Sequence, residues 1–238
     1  MRTKFLSPRD ILYFFVVTLV SAFVFSDFRY LGLENFVFLD ALFSLANNFL
    51  VFFVLYAIFI LVQKIVGHYL GLKVVFDLFY AAPIISLGIT FLSFGLVPFI
   101  YTGGVIVEPI KRLRIGKFRP ALSSKELFAV GLSGPLSMLL VSLLVFQPLF
   151  LLTELVFFEL FLYFAAVIMF FSTLPLPGTN AINILIYSRV AWLLTFMFGL
   201  SILLLIVAAG FIGYLIALIL SLIMAFLFKE FVLNKFLY

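Results

Sequence analysis

Long uncharged runs separated by short charged clusters dominate the chain, and the spacing of the clusters predicts helices that cross a membrane. Ser7-Pro8-Arg9-Asp10 has the chemistry of a helix start: Ser7 as N-cap, Pro8 in the first turn, and Asp10 near the positive end of the dipole. The apolar run after it predicts a first span over 11–26. A mixed loop with Asp27, Arg29, Glu34 and Asp40 follows, and the uncharged run 41–63 predicts the second span. Lys64 to Lys73 would then lie at its far end. Residues 78–107 are also uncharged but carry Pro83, Gly88, Gly95, Pro98, Gly103 and Gly104. So many breakers argue against one straight helix and predict a re-entrant segment or short β-hairpin shielded by protein. Further spans are expected over 127–146, 151–171, 190–208 and 212–228. The expected fold is therefore all-α and integral to the membrane. It has six transmembrane helices in a single membrane domain, 1–238, with the irregular element between the second and third.

Composition agrees with this class. The chain is 66% hydrophobic and 11% charged, with a mean hydropathy of +1.37, far from the soluble range. The first apolar run meets no small-residue cleavage site before Asp27 and Arg29, so it reads as a span and not as a signal peptide. Cysteine is absent from the sequence, which rules out disulfides and thiolate metal sites. The net charge of +5 comes from loops and reads as orientation rather than nucleic-acid binding. The positive-inside rule puts Arg2, Lys4, Arg9, Lys64, Lys73, the 111–125 cluster and Lys229 in the cytoplasm. Both termini are then cytoplasmic, in the cell membrane. The bilayer is the first expected partner, with the 111–125 cluster attracting anionic lipid by about 1 kcal/mol per basic residue.

The candidate chemistry starts from His68, the single histidine. Lys64-Ile65-Val66-Gly67-His68 has the outline of the helical zinc motif H-E-x-x-H. Further along stand Ser133-Gly134-Pro135-Leu136-Ser137-Met138 and Leu174-Pro175-Leu176-Pro177, the latter followed by Asn180-Ala181 and by Ile186 to Trp192. In order and spacing these resemble the site-2 protease family of intramembrane zinc metalloproteases, in the short archaeal-type form without soluble domains. The resemblance implies a role for each position. Lys64 stands where the first zinc ligand is expected, Ile65 at the general base, His68 at the second ligand and Asn180 at the third, an Asp in the family. Met138 and Ser172 replace two family asparagines. Gly134, Pro135, Pro175 and Pro177 correspond to the substrate groove.

A cation at the first ligand, an aliphatic base and a neutral third ligand remove the chemistry a zinc hydrolase needs. The resemblance thus implies a catalytically inactive pseudoprotease with no cofactor. It would bind a transmembrane client helix or act as a scaffold among partner membrane subunits. The alternatives are an active metalloprotease with an altered metal site, which would hold zinc, and a structural subunit of a larger complex. Each residue also has a plainer reading. His68 fits an interfacial helix end, Asn180 a helix cap or break, and Asn47 and Asn48 a helix–helix contact. Gly131-Leu132-Ser133-Gly134 matches the G-x-S-G of rhomboid serine proteases. Its histidine, however, would precede the serine, the reverse of that family's order.

Overall fold

The chain is described by a computed structural model covering residues 6–30, 36–109, 122–146 and 156–204, with isolated positions 148, 149, 152, 216, 219 and 223. Helix α1, Pro8–Phe25, begins at the expected cap. The Ser7 hydroxyl accepts from the Asp10 N–H at 3.1 Å while the Asp10 carboxylate accepts from the Ser7 N–H at 2.6 Å. This reciprocal capping box satisfies two N–H groups that a helix start leaves unpaired.

After a short 3-10 turn, Asp27–Tyr30, helix α2 runs over Phe38–Tyr69 for 32 residues. At 1.5 Å per residue it is about 48 Å long, against a hydrocarbon core of about 30 Å. It extends six residues past the expected end at 63, so Lys64 and His68 are helical. Helix propensity continues through Lys-Ile-Val until Gly71, whose φ of 73° ends the turn.

Strand β1, Leu72–Asp77, pairs antiparallel with β2, Gly104–Pro109, in the register Leu72↔Pro109 through Asp77↔Gly104. Helix α3, Ala82–Leu92, lies between them. A two-stranded sheet does lie between the second and third expected spans, but its placement is corrected: β1 precedes the 78–107 window, which holds α3, an extended return and the start of β2.

This excursion runs the length of α1. Asp77 is 2.5 Å from Arg9 at the start of α1. Gly95 packs against Arg29 just beyond its end, where an added Cβ would lie 3.0 Å from the Arg29 carbonyl. The chain then returns to Gly104, opposite Asp77.

An extended return leg in apolar surroundings leaves its main-chain N–H groups short of partners. Helix α3 and its C-cap residue Ser93 supply them. Ser86 Oγ accepts from the Tyr101 N–H at 3.0 Å, Thr90 Oγ1 from the Phe99 N–H at 3.3 Å, and Ser93 Oγ from the Val97 N–H at 3.1 Å. Residues 86, 90 and 93 follow the helical spacing, whereas 101, 99 and 97 follow the two-residue period of an extended chain. The excursion folds back on itself and carries its own hydrogen-bonding surface.

Helix α4, Ser124–Val141, starts at a second capping box, Ser123 with Glu126, and continues as a π turn, Ser142–Phe146. Helices α5, Val156–Ser172, and α6, Asn180–Tyr187, follow, then α7, Arg189–Leu204. The separate α6 was not expected; Pro175, Pro177 and Gly178 break the chain before it, and Ser188 interrupts it from α7. Helices α1, α2 and α4 are long and apolar enough to cross a membrane, whereas α5 and α7 are apolar but shorter. The expected span 212–228, apart from positions 216, 219 and 223, and the basic cluster up to Arg119 lie outside the described residues. Where α1, α2 and α5 meet, aromatic rings fill the core, with Phe52 and Phe164 stacked at 4.5 Å and Phe25 edge-on to Phe164 at 5.2 Å. Buried Tyr56 meets its hydroxyl requirement at Ser21, 3.1 Å away.

Candidate functional site

At the end of the molecule where α1 starts and α2 finishes, two oppositely charged side chains are buried together. Lys64 Nζ donates to Asp10 Oδ2 and to the Val74 carbonyl, each at 2.9 Å. Asp10 Oδ1 accepts the Phe76 N–H at 2.7 Å. Residues Lys64 and Asp10 are 4% and 2% exposed. A buried charge is tolerated only when paired and hydrogen-bonded, and both conditions hold. Asp10 also collects the Ser7 N–H and the positive end of α1.

The arrangement has a second meaning for the sheet. Val74 and Phe76 alternate with the residues bonded to β2, so the Val74 carbonyl and Phe76 N–H point to the outer edge of β1. Lys64 and Asp10 take the acceptor and donor that a further strand would pair with. The ion pair closes an edge that would otherwise be open to another chain. Close approach makes this possible: a Cβ on Gly67 would lie 2.1 Å from Val74 Cγ2, so glycine alone lets β1 lie against α2. Surface pairs Arg9–Asp77, 2.5 Å, and Lys73–Glu108, 2.8 Å, hold the rim. The latter are directly opposite each other across the two strands.

The outer edge of β2 is met by a carboxamide. Asn183 Nδ2 donates to the Val105 carbonyl at 3.2 Å. At the start of β2 a Cβ on Gly104 would fall 2.5 Å from the Gly178 carbonyl and 2.9 Å from the Asn180 nitrogen. The turn before α6 therefore lies backbone-to-backbone against the sheet. The Tyr101 hydroxyl donates to the Pro177 carbonyl, and Thr179 Oγ1 to the Leu174 and Leu176 carbonyls at 2.7 and 2.9 Å. The carbonyls freed by the two prolines are those of Phe171, which accepts from the Leu174 N–H at 3.3 Å, and Thr173, which accepts from Trp192 Nε1 at 3.0 Å.

Helix α4 presents its glycines to both neighbours. A Cβ at Gly131 would lie 2.8 Å from Asn183 Cβ and 3.2 Å from the Asn180 carbonyl; one at Gly134 would lie 2.5 Å from Gln63 Nε2. Gln63 and Asn180 are fully buried, and neither carboxamide has a hydrogen-bond partner on oxygen or nitrogen among the described residues.

The residues expected at the degenerate zinc site each have their own surroundings. Lys64 is turned inward onto Asp10 and β1. Ile65 is 45% exposed, and His68 is exposed at the end of α2. Asn180 is buried against β2 and α4, as the first residue of α6; Thr179 is the N-cap, so Asn180 is not the expected cap. Gly134 and Pro135 are buried within α4, Pro175 and Pro177 shape the turn before α6. Ser133 gives its hydroxyl to the Val130 carbonyl at 2.8 Å, and no hydrogen bond joins it to His68 among the described residues. Likewise, among the described residues no cluster of three His, Cys, Asp or Glu side chains is placed to hold a metal ion.

Asp10, Gln63 and Asn183 went unnoticed as site residues. Asp10 had a sufficient local role as a cap, and Gln63 marked only the end of an apolar run. The signal available was adjacency: Gln63 and Lys64 follow 22 uncharged residues, where buried polar groups need partners.

Several apolar helices of spanning length, together with a small two-stranded sheet, fit an integral membrane protein. No family model, curated protein or solved structure matches the chain.

Proposed function

We propose that this is a site-2-protease-like membrane protein that has given up metal chemistry and holds a transmembrane segment of a client or partner subunit. One observation carries the reading. The position of the first zinc ligand is Lys64, and its ammonium is committed to Asp10 and to the edge of β1. A cation there repels zinc, and its pairing gives it a structural role that a metal ligand could not fill.

The same ion pair favours one mode of client binding. With the outer edge of β1 closed by this pair and that of β2 met at Val105 by Asn183, a client segment is left the helix faces to pack against rather than a sheet edge. Beyond the sheet, the apolar outer faces of the helices suit lipid and other transmembrane helices equally well. A groove of about 260 Å³ between α1 and α2, lined by Phe14, Phe15, Phe53 and Leu61, lies on that surface. The end bearing Arg9, Lys64 and Lys73 faces the cytoplasm in this reading, by the positive-inside rule.

Elemental analysis of the purified full chain tests the loss of metal chemistry. The expected result is zinc far below one per chain, the same in wild type and His68→Ala. Stoichiometric zinc that disappears on replacing His68 overturns the reading in favour of an altered metal site. His68→Ala itself should change stability by no more than about 0.5 kcal/mol, as for exposed positions generally.

A further inference from the structure

At the end of α1 opposite Arg9, a cation stands without a counter-charge. Arg29 lies in the 3-10 turn that follows α1. Arg9, Lys64 and Lys73, at the other end, each hold a carboxylate, whereas Arg29 pairs with none among the described residues, Asp27 of its own turn included. Its Nε is buried and has no hydrogen-bond partner. The side chain is only partly covered, and the two terminal nitrogens are not buried. They are the donors left for a ligand.

The surroundings fix how the guanidinium can be approached. Its carbon lies 4.6 Å from the centre of the Tyr30 ring, so an aromatic covers one face. The donors point along the plane, where the two terminal nitrogens form a fork that matches a pair of phosphate oxygens. Tyr163 of α5 is near enough for the charge to act on its hydroxyl, and that hydroxyl has no hydrogen bond among the described residues. It is a further donor for the same anion.

Apolar surface flanks this site. The tip of the excursion presses on the Arg29 stem, as a Cβ on Gly95 would lie 3.0 Å from Arg29 Cγ. Before it, Phe94 has a φ of 51°, the one positive value for a non-glycine residue among those described, in a region bulky side chains rarely enter. Leu92, Phe94 and Leu96 are left 83%, 72% and 83% exposed. Cation and apolar surface thus stand side by side at the end of a helix of spanning length. A bilayer presents headgroup phosphate and acyl chain together at that level. A soluble anion would use the fork and leave the apolar side chains bare, whereas a phospholipid meets both.

We infer that Arg29, with the Tyr163 hydroxyl, binds the phosphate of a phospholipid whose chains lie along Leu92, Phe94 and Leu96. The site does not depend on client binding and lies at the other end of α1 from Lys64.

Native mass spectrometry of the full chain in mild detergent, titrated with dioleoyl phosphatidylglycerol, reads the affinity for the first bound lipid. Arg29→Gln should weaken it about tenfold, equal to about 1.4 kcal/mol and in keeping with a lost charge-assisted hydrogen bond. Tyr30→Leu keeps the charge but removes the ring beneath it, and should weaken binding about two- to fivefold. Arg9→Gln makes the same change in net charge at a cation already paired with Asp77, and should leave the affinity unchanged. Dioleoylglycerol has the same chains and no phosphate. It should bind wild type and Arg29→Gln equally, which also shows that the variant is folded. Excess inorganic phosphate should not displace the phospholipid, because it lacks the chains.

Equal losses in Arg29→Gln and Arg9→Gln would mean attraction to net charge alone and overturn the inference. Displacement by inorganic phosphate would make this a site for a free anion and refute the lipid. If wild type binds phosphatidylglycerol no better than dioleoylglycerol, Arg29 serves only the end of α1 and no phosphate site exists.

Discussion

Removing either member of the Lys64–Asp10 pair should destabilise the protein, and Asp10 should matter more. Losing one partner of a buried ion pair typically costs about 3–5 kcal/mol, because the other charge is left buried. Lys64→Met leaves a carboxylate that still accepts the Ser7 and Phe76 N–H groups and faces the start of α1. Its expected cost is therefore near the lower limit, about 3 kcal/mol. Asp10→Leu leaves an ammonium bonded to the Val74 carbonyl without its counter-charge. It also orphans the Phe76 N–H and dismantles the capping box of α1. The expected cost is at least about 5 kcal/mol, as the orphaned donor alone adds about 1–3 kcal/mol. The double variant removes both charges and should recover about 2–4 kcal/mol relative to the sum of the singles. The residue of its cost is the lost cap and the unpaired strand edge. Reversible unfolding in mixed detergent micelles, with wild type and all three variants in one cycle, measures each quantity. Equal costs for the two singles, or a coupling within about 0.5 kcal/mol of zero, would show that the pair is solvated and does not close the sheet.

Two more predictions concern backbone approach and backbone satisfaction. Ser86→Ala and Thr90→Val should each cost about 1–3 kcal/mol by orphaning the Tyr101 and Phe99 N–H groups. Ser93→Ala should cost under about 0.5 kcal/mol, since Val97 is 54% exposed and water replaces the hydroxyl; the unfolding series tests this order. Gly67→Ala should be overpacked by about 1–3 kcal/mol and be rescued by Val74→Ala, whose deletion clears the clash. Gly104→Ala meets the Gly178 carbonyl and the Asn180 nitrogen, both main chain, so no single side-chain deletion should restore it. Rescue of Gly104→Ala by a neighbouring alanine would refute the close backbone packing of β2 on α6.

The helix starts were legible because capping is local. Ser7 with Asp10 and Ser123 with Glu126 lie within one turn of each other, and each pair forms the box its spacing permits. The breakers in 78–107 correctly excluded a straight helix. The same region hid its own solution, since Ser86, Thr90 and Ser93 at helical spacing are the hydroxyls that serve the return leg. Their value depends on a strand folded back beside them, which periodicity along one element does not reveal. Strand β1 was missed for a related reason: Leu72 to Asp77 follows a helix that runs six residues further than the uncharged stretch.

By itself the amino-acid sequence determined the solvent of this protein, its apolar helices and their caps, because hydropathy and capping are properties of neighbouring residues. On resemblance alone, Lys64, Ile65 and Asn180 were expected to stand where metal chemistry would be. Only the tertiary structure decided what those residues do instead. Lys64 finds its counter-charge 54 positions away in Asp10, His68 turns outward, and Asn180 meets β2 through a glycine. Such outcomes depend on which elements pack together. A buried charge or amide takes its meaning from the groups that packing brings within about 3 Å, however remote they are along the chain.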